Sequence, residues 1–287
     1  MTTQQTADAA PAGTAGARQR RPVSPLRQTL RLTRTEFTLM YRYRTALFFV
    51  LFPLVFVFLG VVSQGESPVP GVSNETLALT GSPAAIIMMI GVMHVSNTYA
   101  ARREQLILKR FRASGVPPVA LFGATTLSVL AVVVLLTAVP WGVLIAQTGE
   151  VPADPVMVAL AVVLSTVTMV LLGAALTRLA RNAEGTQMMS IVPFLALYAS
   201  SGLMIPLEMM PDQLATASRL LPMAPVVELL RGGYTGNDVF GDLVGASPAT
   251  GLDLWAAALP SLAVVLAWTA LSVLSLRYFR WDPRQPG

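Results

Sequence analysis

The chain has 287 residues, of which 54% are hydrophobic and only 12% charged, and its mean hydropathy is +0.61. A soluble globular chain carries about twice that charged fraction, so the composition points to a membrane protein. With no cysteine and a single histidine, His94, it has no disulfide framework, thiolate metal site, redox thiol or histidine cluster.

Residues 1–23 are rich in Ala, Thr, Gln, Pro, Gly and Arg, with little to bury, and read as a disordered cytoplasmic tail. No apolar core follows within the first 30 residues, so the tail is not a signal peptide. From Ser24 to Arg44 the spacing predicts a helix. Arg27, Arg31, Arg34 and Arg42 form one stripe, and Leu26, Leu30, Phe37, Met40 and Tyr41 form an apolar counterpart. Such a helix lies in the headgroup region with its arginines toward anionic lipid, or else anchors the next span by charge alone.

Six apolar segments follow, at about 45–62, 77–100, 119–146, 156–177, 186–207 and 254–276. Each is at least 18 residues, roughly 27 Å of helix against a hydrocarbon core of about 30 Å. The third contains Pro140, so a tilt or kink is expected there. With the N-terminus inside, segments 1–44, 101–118, 178–185 and 277–287 hold eighteen of the 20 Lys and Arg. The outer segments hold only Arg219 and Arg231, yet carry ten of the 15 acidic residues. This bias predicts an all-α membrane protein with six transmembrane helices, N-in and C-in. It also accounts for the net charge of +5 as topology rather than nucleic-acid binding.

Among the outer loops, 208–253 is the long one. Pro211 opens one short helical pattern to Leu221, and Pro225 opens another that ends at Gly232-Gly233. Neither can cross a bilayer, and both have an apolar face. They are expected as short re-entrant helices before the last span. On the inner side, Arg102–Arg112 is a basic, helix-forming stretch between two apolar runs, stopped by Gly115 and Pro117-Pro118. It reads as a docking helix of about three turns, or as a loop that merely sets topology.

Chemistry is scarce. The only lysine, Lys109, sits between Leu108 and Arg110, which excludes a phosphate-binding P-loop. No Asp or Glu lies in the core of a span, so ion coupling has only His94, beside Ser96, Asn97 and Thr98, as a candidate relay or helix–helix partner. Intramembrane proteolysis lacks an aspartate pair and a His-Glu-x-x-His motif, and Ser200 and Ser201 lack Gly-x-Ser-x-Gly. The result is a membrane bundle with a basic docking loop, an outer capping loop and no engine of its own.

With these features the chain resembles the ABC-2 family of transporter permeases, most closely the daunorubicin-resistance-type drug exporter permeases. The first inner loop is similar to the family's Glu-Arg-Glu-x-Gly-Thr-Leu-x-x-Leu-Arg-x-x-Pro, with Glu104, Leu108, Phe111 and Arg112 near matching positions and the Gly-Thr pair absent. The segment Pro222 to Gly233, with Pro225, Glu228 and Arg231, resembles the family's Pro-x-x-x-x-x-Glu-x-x-Arg block. The interfacial helix and the six-span layout complete the likeness, which covers about 27–280.

The resemblance implies a permease subunit in the bacterial plasma membrane that pairs with a second permease copy and two copies of a separate ABC ATPase. ATP and Mg would be held by the ATPase, and no cofactor by this chain. Arg102, Arg103, Glu104, Leu108, Lys109, Arg110, Phe111 and Arg112 would form the docking loop, with Leu106, Leu108 and Phe111 as the apolar anchor. Pro222, Pro225, Glu228 and Arg231 are outer-gate candidates. Glu228 and Arg231 stand one helical turn apart, where they could pair to brace the gate or simply cap a short helix. The expected substrate is hydrophobic or amphipathic, drug-like or antibiotic. The alternatives are export of lipid or polysaccharide, and a six-span assembly or immunity factor that transports nothing.

Overall fold

The structure is a computed structural model that describes residues 24–42, 48, 51–62, 72–179 and 182–282. The expected tail at 1–23, the start of the first expected span and the last five residues lie outside it. Helix α1 is Pro25–Arg42 and α2 is Leu54–Val61. A long stave follows, made of α3 (Asn74–Met88), a π turn (Met89–His94) and α4 (Val95–Glu104). After it come α5 (Ile107–Ala113), α6 (Pro118–Thr148), α7 (Pro155–Leu176) and α8 (Ala183–Ala199). Helices α9 (Asp212–Arg219) and α10 (Met223–Thr235) precede a two-residue antiparallel ribbon, β1 (Asn237–Asp238) with β2 (Ser247–Pro248). Helix α11 (Leu252–Ser275) ends in a 3₁₀ turn, Leu276–Tyr278.

The element ends follow local chemistry. Proline opens α6 and α7 at the first helical position, where its missing N–H costs nothing. Asp154 caps α7 through Met157 N at 2.9 Å, and Asn182 caps α8 through Gly185 N at 2.9 Å. Gly149, with φ of 72°, ends α6.

Four stretches among the described residues are long and apolar enough to cross a membrane: Asn74–Glu104, Pro118–Thr148, Pro155–Leu176 and Leu252–Tyr278. The expectation was six. The fifth expected span, 186–207, is shortened because α8 stops at Ala199, after 17 residues and about 25 Å. There the chain turns through Gly202, whose φ is 74°. Within the first expected span the described part is broken at Pro53, which precedes α2.

The stave 74–104 is the axis of the bundle. Its most apolar window is 83% buried, against 22% for α11. It packs on α6, α7, α8 and α10. The closest approach is backbone to backbone. A Cβ on Gly173 would fall inside the Gly91 carbonyl oxygen, and one on Gly91 would collide with Met169. Gly91 lies in the π turn, whose wider coil carries that carbonyl toward α7. Small residues permit this approach, which van der Waals contact then stabilises.

We expect Gly173→Ala to lower stability by about 2 kcal/mol through overpacking. Gly142→Ala should leave stability unchanged or raise it by up to about 1 kcal/mol, because nothing lies within 4 Å of that position. Thermal unfolding of the detergent-purified chain reads both.

Candidate functional site

The basic corner comes first. Residues 102–112 do not form one helix of three turns. Helix α4 ends at Glu104, and Leu106 adopts a left-handed conformation with φ of 58° before α5 begins at Ile107. Leu106 occupies the position where the family pattern has glycine, so the turn is made without the residue that normally makes it easy.

The corner divides the expected docking residues into two groups. Arg102, Arg103 and Leu108 are buried, and Glu104 is engaged within the chain. Lys109, Arg110 and Arg112 are exposed on α5, Leu106 is 42% exposed, and Phe111 is half-buried against the core. Leu108 therefore belongs to the chain's own core and cannot anchor a partner.

Arg102, Arg103 and Glu104 fasten three other elements to the corner. Arg102 grips Glu36 of α1 in a bidentate pair, Nη1 to Oε1 at 2.6 Å and Nη2 to Oε2 at 2.7 Å. Both side chains are largely buried, where a fork-to-fork pair is strong and a lone charge is costly. Arg103 donates to Thr177 O at 2.7 Å, placing a cation at the C-terminal end of α7. Glu104 accepts from Ala183 N at 2.8 Å, placing an anion at the N-terminal end of α8. Each charge faces the helix-dipole end that favours it. Tyr99 extends the cluster by donating to Thr125 Oγ1 at 2.9 Å. Its ring packs edge-on to Phe279 of the last segment, at 5.6 Å between centroids.

The described part of each stripe expected for α1 faces away from the bundle, and the side chains of Met40, Tyr41 and Arg42 lie outside the described residues. Arg27, Arg31 and Arg34 are exposed, as are Leu26, Leu30 and Phe37. A third face, Thr29, Thr33 and Glu36, packs on α6, where Ser128 Oγ donates to Thr33 O at 3.4 Å. Glu36 is the functional residue that sequence reasoning missed. The spacing of 29, 33 and 36 was the available signal, but threonine beside threonine does not look like a packing face.

The second site lies at the far end of the stave. Pro222 precedes α10 and Pro225 is buried in its first turn. Glu228 and Arg231 do not pair. The Glu228 carboxylate accepts from Ser261 Oγ at 2.6 Å and lies 3.9 Å from Arg219 Nε. Arg219 also lies 3.8 Å from Glu208, and it donates to Gly241 O. Arg231 turns the other way, donating from Nε to Leu77 O at 3.2 Å and from Nη2 to Gly202 O at 3.3 Å. Gly81 makes room for it, since a Cβ there would lie 3.4 Å from Arg231 Nε. Thus Arg231 clamps α3 and the turn after α8 onto α10, and Glu228 ties α10 to α11.

Burial pushes the Glu228 carboxyl up, against the lowering effects of Ser261 and Arg219. Burial also lowers Arg231 to about 10, although Glu208 and Glu228 oppose it, so the guanidinium stays charged at neutral pH.

Position along α11 shows how deep this hairpin goes. Ser261 and Trp268 lie about 13 and 24 Å from the first residue of α11 at the helical rise. Glu228 bonds at the first level, and the Trp268 indole donates to Leu220 O at 2.8 Å at the second. Helix α10 therefore runs back alongside α11, with its start deep in the bundle. Glu208, Glu228, Arg231 and Ser201 surround a cavity of about 10 Å³, room for roughly one water molecule. No group of three or more metal-ligating side chains occurs among the described residues. His94 closes the π turn, with Nε2 3.5 Å from Thr98 Oγ1.

A family model described as ABC-2 family transporter protein matches residues 64–276. A comparison with curated proteins finds no match.

Two outcomes follow from these sites. Arg102→Ala and Glu36→Ala should each cost about 3–5 kcal/mol by stranding a buried charge, and the double variant should be no worse than either single one. A double-mutant cycle by thermal unfolding measures this. For Glu228 the raised value means that the folded chain holds the proton more tightly than the unfolded chain. The contribution of Glu228 to stability is therefore fully present below its ordinary value of 4.5 and is lost as pH rises through the raised one. Glu228→Gln should flatten that fall in a melting series from about pH 4 to 8.

Proposed function

The chain belongs to the ABC-2 family of transporter proteins, and on that premise we propose that it is the permease subunit of an ATP-driven exporter of hydrophobic or amphipathic, drug-like molecules. The family is a membrane-transport domain and implies association with an ABC ATPase. In this reading two permease copies pair in a bacterial plasma membrane, both termini face the cytoplasm, and each copy holds one ATPase subunit. ATP and Mg stay on that partner.

The observation that carries the reading is the corner at Gln105–Leu106. It presents α5 as a short, exposed basic helix whose base is fastened to three other elements by Arg102, Arg103 and Glu104. A partner that pushes on α5 moves its base, and the base moves the stave. Lys109, Arg110 and Arg112 supply charge for an acidic cleft, and Leu106 supplies the exposed apolar contact. The ion pair of Arg112 with Asp282 is open to solvent at 3.7 Å, so a partner can displace it at little cost.

Apolar cargo suits the bundle surface. Leu135, Met188, Val192 and Leu195 are exposed on α6 and α8, and methionine gives an adaptable contact surface. Aromatic residues, at 7%, do not suggest a stacked sugar path.

Co-expression with a candidate ABC ATPase tests the reading. Wild type should co-purify with it, and ATP turnover should respond to amphipathic compounds. Lys109→Glu with Arg110→Glu and Arg112→Glu should abolish co-purification while leaving the melting temperature unchanged. If no ATPase is held, or the charge reversal changes nothing, α5 is not the docking element.

A further inference from the structure

We propose that the exposed faces of α1 bind anionic phospholipid headgroups at the bilayer surface and report that charge to the docking corner through the Glu36–Arg102 pair. The regulatory meaning rests on the reading of the corner as the docking site, but the link itself can be tested without any ATPase.

Three faces of α1 carry the argument. At about 100° per residue, Arg27, Arg31 and Arg34 project from the side opposite the docked face of Thr29, Thr33 and Glu36. Leu26, Leu30 and Phe37 project from between them, roughly a quarter turn from each. The docked face lies on α6 near Ala124 and Ser128, a few turns from the start of that helix. Leu26 is 69% exposed and Leu30 53%, although both are apolar. None of the three arginines has a carboxylate within ion-pair distance among the described residues. An apolar edge beside a cationic edge, held against a membrane-crossing helix, matches the boundary of an anionic leaflet, where each arginine adds to the attraction. The third face is fixed to the corner by two charge-assisted hydrogen bonds of 2.6 and 2.7 Å. Immobilising α1 on lipid therefore immobilises the carboxylate that holds Arg102.

Hydrogen exchange of the full chain in nanodiscs decides the matter. Discs of phosphatidylcholine alone are compared with discs containing phosphatidylglycerol, and glycerol phosphate in solution serves as the free-anion control. In wild type, anionic lipid should slow exchange in α1 and at residues 105–113 by about fivefold, and glycerol phosphate should not. Arg27→Gln with Arg31→Gln and Arg34→Gln should lose both effects. Glu36→Gln should keep the slowing in α1 and lose it at the corner. Leu26→Ser with Leu30→Ser, both at exposed positions, gives a second test that does not disturb the ion pair and should weaken both effects. Equal exchange in the two discs overturns the proposal and leaves the surface to an acidic protein. Slowing by glycerol phosphate overturns the lipid source, and retention of the corner effect in Glu36→Gln overturns the route.

Discussion

Three consecutive side chains hold the molecule's basic end together. Arg102 takes a carboxylate from α1, Arg103 takes the Thr177 carbonyl at the end of α7, and Glu104 takes the first amide of α8. The Arg102 and Arg103 contacts are charge-assisted and buried, so neither can be lost without stranding a charge, while Glu104 satisfies the end of α8 from an exposed position. The corner at Leu106 then aims α5 away from this anchorage. The exposed charges on α5 remain available because Arg102, Arg103 and Glu104 do the fastening.

The same stave carries the second cluster. Leu77, whose carbonyl Arg231 holds, and Arg102 are separated by about 38 Å of continuous helical backbone. Between them the π turn is locked to α7 by the contact of Gly91 with Gly173. Protein interiors deform poorly, so a stave packed this closely transmits displacement rather than absorbing it. At the far end, Arg231 and Glu228 connect α3, α10, α11 and the turn after α8. A push at the corner would therefore reach the hairpin of α9 and α10 through a contiguous set of contacts.

Much of this was legible in the residues. Pro211 marked the start of the outer hairpin, and the scarcity of charge marked the membrane class. The stop expected at Gly232-Gly233 is passed, because α10 starts at Met223, before Pro225, and runs through both glycines to Thr235. The burial of Arg102 and Arg103 was not legible, because a run of basic residues reads as a solvated face until its partners are known. One partner is a carboxylate 66 positions earlier, and the other is a backbone carbonyl, which has no sequence signature. The left-handed turn at Leu106 was hidden because glycine normally announces such a turn. Glu228 and Arg231 were correctly placed one turn apart, but spacing along a helix does not say which neighbours the side chains reach. The stop of α8 at Ala199 was obscured because Leu203, Met204 and Ile205 continue the apolar run past the turn.

The most direct test is a pair of distances by electron paramagnetic resonance in the complex with the ATPase. A chain without cysteine accepts labels at chosen sites with no background. With labels at Ser114, which caps α5, and at Thr35 of α1, both exposed, the distance should stay constant when ATP is added, because the corner and α1 move as one body. With labels at Ser114 and Leu214, the distance should change. A shift in the first pair with none in the second would contradict the account, because the anchorage at Arg102–Glu104 would then be a joint rather than a fixed base.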